Sequence, residues 1–304
     1  MPSPAAAAAG TPPAVTVHAL ADWGFQPFAL VVLVTVVVVG AWYVQAAWAL
    51  SARGRRWSGK RTAAFLVGLV AVDLALQSPV AALSMAHFEA HVVQHLLLMV
   101  AAPPLLAMGA PMTLALQTSG RTTKVRLLRV LHSRAFRWAS HPAPTWALYY
   151  VAMFAFFLTS ALAVAMEHMW LMDLVNVAFL VASAHFWWPI VGLDPIPHWR
   201  LGYGTKMAAL LIGVPIESFL ALALLTSSRP VAPMYSVGGT HAGAAVLWVG
   251  AELVTVLAFV PVFVQWLRAE DRRTARIDAE LDRAYEAAGT VLTPVDPARG
   301  PSAG

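Results

Sequence analysis

Hydrophobic residues form seven long runs along the chain, separated by shorter stretches that hold most of the charged residues. A helix needs about 20 mostly apolar residues to cross the bilayer core, and each run has roughly that length. The pattern therefore predicts an all-α integral membrane protein, a bundle of seven transmembrane helices. We place the spans near residues 28–50, 63–83, 91–117, 144–165, 169–191, 206–226 and 243–267.

The regions outside this membrane domain, which covers residues 28–267, differ from it in composition. Residues 1–27 contain the low-complexity run MPSPAAAAAGTPPAV and neither Lys nor Arg. We expect them to be a disordered extracytoplasmic segment, without the positive start of a signal peptide. Residues 268–304 begin with charges of both signs and end in a Pro/Gly stretch, which predicts a cytoplasmic tail that is first helical and then disordered.

The distribution of basic residues predicts the orientation of the bundle. Five of the 20 Lys and Arg residues follow span one, six follow span three, two precede span six and six lie in the tail. Only Arg229 lies on the other side of the predicted membrane. The positive-inside rule then places the N-terminus outside and the C-terminus in the cytoplasm.

Composition agrees with the membrane class and excludes several functions. The chain is 59% hydrophobic and 12% charged, with a mean hydropathy of +0.67, whereas a soluble domain carries about 25% charged residues. The absence of cysteine excludes a CxxC copper carrier, a thiol redox site and a disulfide. The net charge of +5 is explained by topology, so we expect no nucleic-acid partner.

A stripe of nitrogen and sulfur side chains marks the start of span three. His87, His91, His95 and Met99 recur at every fourth residue, a step that keeps side chains on one helical face. Imidazole and thioether groups together suit copper, especially Cu(I), better than a hard cation. We predict that His91 and His95 are the core ligands, because a pair at i and i+4 can chelate one ion.

The remaining ligands of this predicted site stay open. His87, Met99, His168 or His241 could complete it from the same outer side of the membrane. Further potential ligands on that side are Met85, Glu89, Met166, Glu167, Met169, Met172 and Met234. A shallow site with mixed His and Met ligands fits copper transfer better than permanent storage.

Three acidic residues lie near the midplane of the predicted spans. Asp73, Glu217 and Glu252 have no Lys or Arg within a span to pair with, and a lone charge there is costly. We therefore expect all three to point into the bundle. Glu252 is the first candidate to support the metal site, and Asp73 with Gln77, one turn away, is the second.

Three segments carry a resemblance to a known family. HVVQHLLLMVAAPPLLAMGAP (91–111), EHMWLMDLVNVAFLVASAHFWWPIVG (167–192) and HAGAAVLWVGAE (241–252) are similar to the CtaG family of cytochrome c oxidase assembly factors, the type associated with caa3 oxidases. The resemblance implies a multi-pass protein of the bacterial plasma membrane, not an enzyme, that supplies copper to a haem–copper oxidase. Its implied partners are oxidase subunits and a periplasmic copper donor. Where acidic or Gln residues often precede span seven in the family, this chain has Thr240 and His241.

Two other classes of function remain as alternatives. One is a membrane transporter for copper or another small solute, in which the midplane acids would carry protons. The other is a haem- or quinone-binding electron-transfer protein. A bis-His haem needs facing histidines on two helices, whereas only span three carries several, all within a short stretch. Visible absorbance would reveal a haem, and metal uptake into proteoliposomes would reveal a transporter.

Overall fold

The computed structural model describes residues 27–194 and 201–291, and the regular structure of this part of the chain is entirely helical. The α-helices are α1 (Pro27–Ala52), α2 (Gly59–Gln77), α3 (Pro79–Ser84), α4 (Phe88–His95), α5 (Ala102–Met108), α6 (Pro111–Thr118), α7 (Arg121–Leu131), α8 (Arg134–Ala139), α9 (Pro142–Leu158), α10 (Ala161–Glu167), α11 (Met169–Val191), α12 (Tyr203–Leu225) and α13 (Val237–Val291). A π-helical segment, Leu96–Ala101, joins α4 to α5.

The described residues contain five helices long and apolar enough to cross a membrane. They are Pro27–Ala52, Phe88–Thr118, Met169–Val191, Tyr203–Leu225 and Val237–Ala287, and the bent pair α9–α10 makes a sixth if it is one span. The predicted all-helical, multi-pass class is thus confirmed. The count of seven stays a prediction, because α2 carries Lys60, Arg61 and Asp73 within 19 residues and is not among these helices. The orientation also stays a prediction.

Two of the predicted spans are interrupted. The run predicted at 63–83 breaks at Ser78, which is extended, and its hydroxyl accepts a hydrogen bond from the Val80 N–H at 3.1 Å as α3 begins. The run predicted at 144–165 bends by 74° between α9 and α10. By contrast, α11 has the predicted bounds, 169–191.

The centre of span three departs from a regular α-helix. Pro103 and Pro104 cannot donate hydrogen bonds, which frees carbonyls in the preceding turn. The Ala102 N–H donates to the carbonyl of Leu97, five residues back, in the pattern of a π-helix. This wider turn ends the four-residue register after His95, so Met99 does not simply continue the line of His91 and His95.

Small residues let the last helix approach span three closely. A Cβ added to Gly243 would collide with the Phe88 ring, and one added to Gly250 would collide with Leu96. These glycines are seven residues apart, so they lie on the same face of α13. Such small positions are typical of membrane helix interfaces. The chain divides into two compact units at Phe259–Val260, and the residues discussed below precede this boundary.

A half-buried carboxylate ties the end of α11 to the start of α6. Asp194 accepts hydrogen bonds from the Met112 N–H at 3.2 Å, the Thr113 N–H at 2.7 Å and the Thr113 hydroxyl at 2.6 Å. Burial raises the pKa of Asp194, although the hydrogen bonds from Thr113 oppose that shift. This contact anchors the part of span three that follows the π-helical segment.

Candidate metal centre

His91 and His95 form a contacting pair inside the bundle. Their Nε2 atoms are 2.9 Å apart, and the side chains are 1% and 3% exposed. At that distance one ring donates its proton and the other accepts it. Neither Nδ1 atom makes a hydrogen bond of regular geometry with a described residue, although the backbone of Ser84 interacts with the His91 ring. The pair thus offers neutral imidazole nitrogen in a buried place, which is the form that binds metals.

Aromatic rings enclose this histidine pair. The ring centroid of His95 lies 5.1 Å from that of Phe179, 5.4 Å from Phe156 and 5.5 Å from Phe157. Phe88 stacks on His91 with centroids 6.2 Å apart. The enclosure fixes the rings by packing and keeps bulk water away from them.

A tyrosine from the loop between α12 and α13 closes one side of the enclosure. The Tyr235 ring is 6.2 Å from the His91 ring, and its hydroxyl donates a 2.6 Å hydrogen bond to the carbonyl of Ser84. Burial first, and nearby Glu89 second, raise the pKa of Tyr235, so the phenol stays protonated and remains a donor. This bond links the loop to the end of α3 beside the pair.

A cavity of about 190 Å³ lies against His91, and we name it the methionine chamber. Four thioethers line it, from Met85, Met166, Met169 and Met172. The other lining residues are Phe28, Ala29, Leu76, Gln77, Ala81, Ala82, Ser84, Gln94, Asp173 and Asn176. Met85 and Met169 are exposed whereas Met166 and Met172 are buried, so the chamber has thioethers both at the surface and in the interior.

The sequence of α11 explains why its side chains share this chamber. Met169, Met172 and Asn176 stand at i, i+3 and i+7, which places them on one helical face. The bend between α9 and α10 brings Met166 to the same cavity from the preceding helix. The chamber therefore combines groups from α1, α2, α3, α4, α10 and α11.

A second and smaller cavity lies against His95, and we name it the inner pocket. Its volume is about 10 Å³, and His95, Met99, Met153, Tyr149 and Glu217 line it together with five apolar residues, Leu96, Val100, Phe157, Leu247 and Ala251. The structure thus places Met99 at a different cavity from the one that His91 lines. The two cavities meet at the histidine pair.

The structure does not bring His87, His168 or His241 to the methionine chamber. His87 Nδ1 lies 3.5 Å from Glu89 Oε1 at the start of α4. His168 is exposed before α11, and its ring lies 6.3 Å from that of Trp170. His241 Nε2 lies 2.9 Å from the carbonyl oxygen of Ser227, where it ties the start of α13 to the end of α12.

The polar residues predicted to support the site occupy different surroundings. Gln77 lines the methionine chamber and donates to the carbonyl of Ala29. Glu217 is 5% exposed and lines the inner pocket. Glu252 is half-buried and accepts hydrogen bonds from the Ser218 hydroxyl at 3.0 Å and the Trp248 indole at 2.5 Å. Asp73 is half-buried, and its Oδ1 has no hydrogen-bond partner in the described part of the chain.

These donors determine which metals the arrangement can hold. No three His, Asp or Glu side chains within residues 27–194 and 201–291 are grouped so that they could share a metal ion. Those residues therefore form no site for a hard cation and no site built only from His nitrogen and carboxylate oxygen ligands. Two imidazoles next to buried thioethers match the preferences of a soft cation, and Cu(I) is the biological metal that suits them. The residues fit the copper that the sequence predicts.

Several residues of these cavities were not singled out from the sequence. Met153, Tyr149, Asn176 and Asp173 line them, and Tyr235 covers the pair. Asn176 carried a usable signal, because it shares a helical face with Met169 and Met172 in an apolar span. Met153 carried none, since an isolated methionine in an apolar helix usually fills space in a core.

The chain is similar to three curated mycobacterial proteins. An uncharacterized protein of Mycobacterium bovis and one of Mycobacterium tuberculosis are each 30% identical to it over 267 residues, covering 82% of this chain and 40% of the relative. One of Mycobacterium leprae is 28% identical over 269 residues, covering 83% and 41%. The chain thus spans about 40% of the length of these relatives. No solved structure matches it significantly.

The match to a family model covers most of the residues described above. The model of the cytochrome c oxidase caa3 assembly factor family matches residues 41–269. This range contains the histidine pair, the inner pocket and the lining of the methionine chamber except Phe28 and Ala29, and it confirms the resemblance drawn from the three sequence segments. The chain belongs to the cytochrome c oxidase caa3 assembly factor (Caa3_CtaG) family.

Proposed function

We propose that this protein binds Cu(I) at His91 and His95, receives it through the methionine chamber and supplies it to a haem–copper cytochrome c oxidase during assembly. One observation carries the proposal: His91 and His95 form a buried pair of contacting imidazoles, and His91 borders a cavity lined by four thioethers. Copper is cargo here rather than a resident cofactor. The protein therefore acts as a membrane assembly factor and not as an enzyme.

The ligand chemistry of the chamber suits transfer of the ion. Thioethers bind Cu(I) as neutral ligands and are not deprotonated on binding, so an ion can pass between them without proton exchange. The exposed Met85 and Met169 would meet the incoming ion first, and the buried Met166 and Met172 would pass it to His91. A copper donor docks at this mouth in our proposal.

The proposed topology agrees with that route. With seven spans, an outer N-terminus and location in the bacterial plasma membrane, the mouth of the chamber faces the extracytoplasmic side. Oxidase copper centres are loaded at or near that side. The oxidase subunits that accept copper would bind there, close to the same mouth.

The geometry of the histidine pair bears on the alternative of a haem protein. Bis-His ligation requires two nitrogens on opposite faces of a porphyrin, whereas these two Nε2 atoms are 2.9 Å apart on one helix. The alternative of a copper transporter is tested by an uptake measurement, because a transporter would move copper into sealed vesicles and an assembly factor would not.

A binding experiment on the purified protein tests the proposal. Cu(I) is titrated in detergent under reducing conditions against a chromogenic Cu(I) chelator. The His91→Ala/His95→Ala variant should lose copper binding, whereas His185→Ala should keep it. His185 is a matched control because it is also helical, and its Nδ1 lies 2.8 Å from the Val181 carbonyl oxygen, away from both cavities.

A second variant tests the same site in case the double alanine variant fails to fold. Met166→Leu/Met172→Leu keeps the volume of the chamber wall and both histidines, so it should fold normally and bind Cu(I) more weakly. In cells under limiting copper, both variants should lower assembled oxidase at unchanged abundance of this protein, and added copper should partly restore it. Full oxidase activity in the double histidine variant would refute the proposal.

A further inference from the structure

We propose that the inner pocket is a second Cu(I) site, formed by Met99, Met153 and Glu217 and reached through His95. This inference rests on the proposed function, because it assumes the same cargo. It adds a second, deeper position at which the bundle holds an ion, on the far side of the histidine pair from the methionine chamber.

The donors of the inner pocket come from three separate parts of the fold. Met99 belongs to the π-helical segment, Met153 to α9 and Glu217 to α12, and their side chains are 2%, 4% and 5% exposed. One buried methionine is ordinary core packing. Two thioethers, an imidazole and a carboxylate around a cavity of about 10 Å³ are a donor set for one small cation.

The buried carboxylate is the second observation that points to a cation. Glu217 and Tyr149 both line the pocket, and neither Glu217 Oε2 nor the Tyr149 hydroxyl has a hydrogen-bond partner among the described residues. None of the described residues that line the pocket is Lys or Arg. A carboxylate in such surroundings requires a proton or a cation. A Cu(I) ion between the thioethers and Glu217 would neutralise its charge.

Glu252 on α13 is an ordinary structural carboxylate, and it differs from Glu217 in its surroundings. Glu252 is not among the described residues that line either cavity, and it receives hydrogen bonds from Ser218 and Trp248. Both bonds end on Glu252 Oε1, so this carboxylate already has partners within the protein. Glu217 on α12, by contrast, has a buried oxygen without a hydrogen-bond partner in the described part of the chain and lines the same pocket as Met99, Met153 and His95.

The histidine pair connects the two cavities. His91 lines the methionine chamber, His95 lines the inner pocket, and their Nε2 atoms are 2.9 Å apart. An ion held by His91 can pass to His95 by ligand exchange, in which one copper–nitrogen bond forms as another breaks. The oxidation state does not change, so the step needs no electron donor or acceptor.

Copper stoichiometry of the full-length purified protein tests this inference. Cu(I) titration against the chromogenic chelator should give two ions per wild-type chain and one ion for Met99→Leu/Met153→Leu. Leucine conserves side-chain volume, so the pocket should stay packed. Met207→Leu is the matched control, since Met207 on α12 is not among the described residues lining either cavity, and it should keep two ions.

A charge variant and a spectroscopic measurement complete the test. Glu217→Gln keeps the shape of the side chain and should weaken only the second ion, and X-ray absorption should show fewer sulfur ligands per copper in Met99→Leu/Met153→Leu. An unchanged stoichiometry and unchanged sulfur count in that variant would overturn the second site and leave the proposed function intact. A wild-type protein that binds no copper would instead overturn the proposed function itself.

Discussion

The indole N–H of Trp187 donates a 2.8 Å hydrogen bond to the backbone carbonyl of Met99. That carbonyl would accept from residue 103 in a regular α-helix, but Pro103 has no N–H to donate. Trp187 is 2% exposed on α11, so the bond joins the helix that lines the chamber to the segment that lines the inner pocket. This one hydrogen bond therefore stabilises the π-helical turn, which moves Met99 off the helical face that carries His91 and His95.

Replacing this tryptophan should destabilise the protein. Trp187→Phe leaves the Met99 carbonyl buried without its donor, at a cost of about 1–3 kcal/mol in the free energy of unfolding. Thermal unfolding in detergent should show a lower midpoint than the wild type. As a control, Trp170→Phe changes an exposed tryptophan on the same helix and should leave the midpoint unchanged. Equal midpoints for both variants would contradict this role of Trp187.

The close approach of α13 to span three gives a second prediction. Gly243→Ala adds a Cβ where the Phe88 ring lies, and that ring stacks on His91. We expect a loss of about 1–3 kcal/mol in unfolding free energy from overpacking, together with weaker Cu(I) binding. Gly204→Ala is the matched control, because no described atom lies within 4 Å of its added Cβ. The idea fails if the two variants unfold at the same temperature.

The exposed histidine of the segment Met166–Met169 should be dispensable for copper binding. His168 lies on the surface, whereas Met166 from the same segment lines the methionine chamber. His168→Ala should therefore leave the Cu(I) affinity of the purified protein unchanged, while Met166→Leu should lower it. The reverse order of effects in the chelator competition would place His168 in the site after all.

Orientation can be measured because the chain has no cysteine. Gly59→Cys and Gly238→Cys introduce single thiols at exposed positions at the starts of α2 and α13. The asymmetry of the basic residues predicts that Gly59→Cys reacts from the cytoplasmic side and Gly238→Cys from the outer side. Labelling of both from one side of oriented vesicles would refute the predicted topology, and with it the outward-facing chamber.

Local patterns in the sequence predicted the helical class and most of the elements. The length of an apolar run decides where a helix can cross a membrane, which is why α11 was predicted with the bounds that the structure has. The neighbourhood of His91 and His95 was also predictable, since residues at i and i+4 on one helix meet regardless of what surrounds it. The family was recognisable from the same segments.

Tertiary packing decided which of the remaining candidates meet the histidine pair. Met99 was expected on the line of His91 and His95, but two prolines and the Trp187 bond widen the turn and place it at the inner pocket. Met166 reaches the chamber only because the chain bends by 74° before it. Distances between separate helices depend on contacts among residues far apart in sequence. The periodicity within one helix cannot predict those contacts.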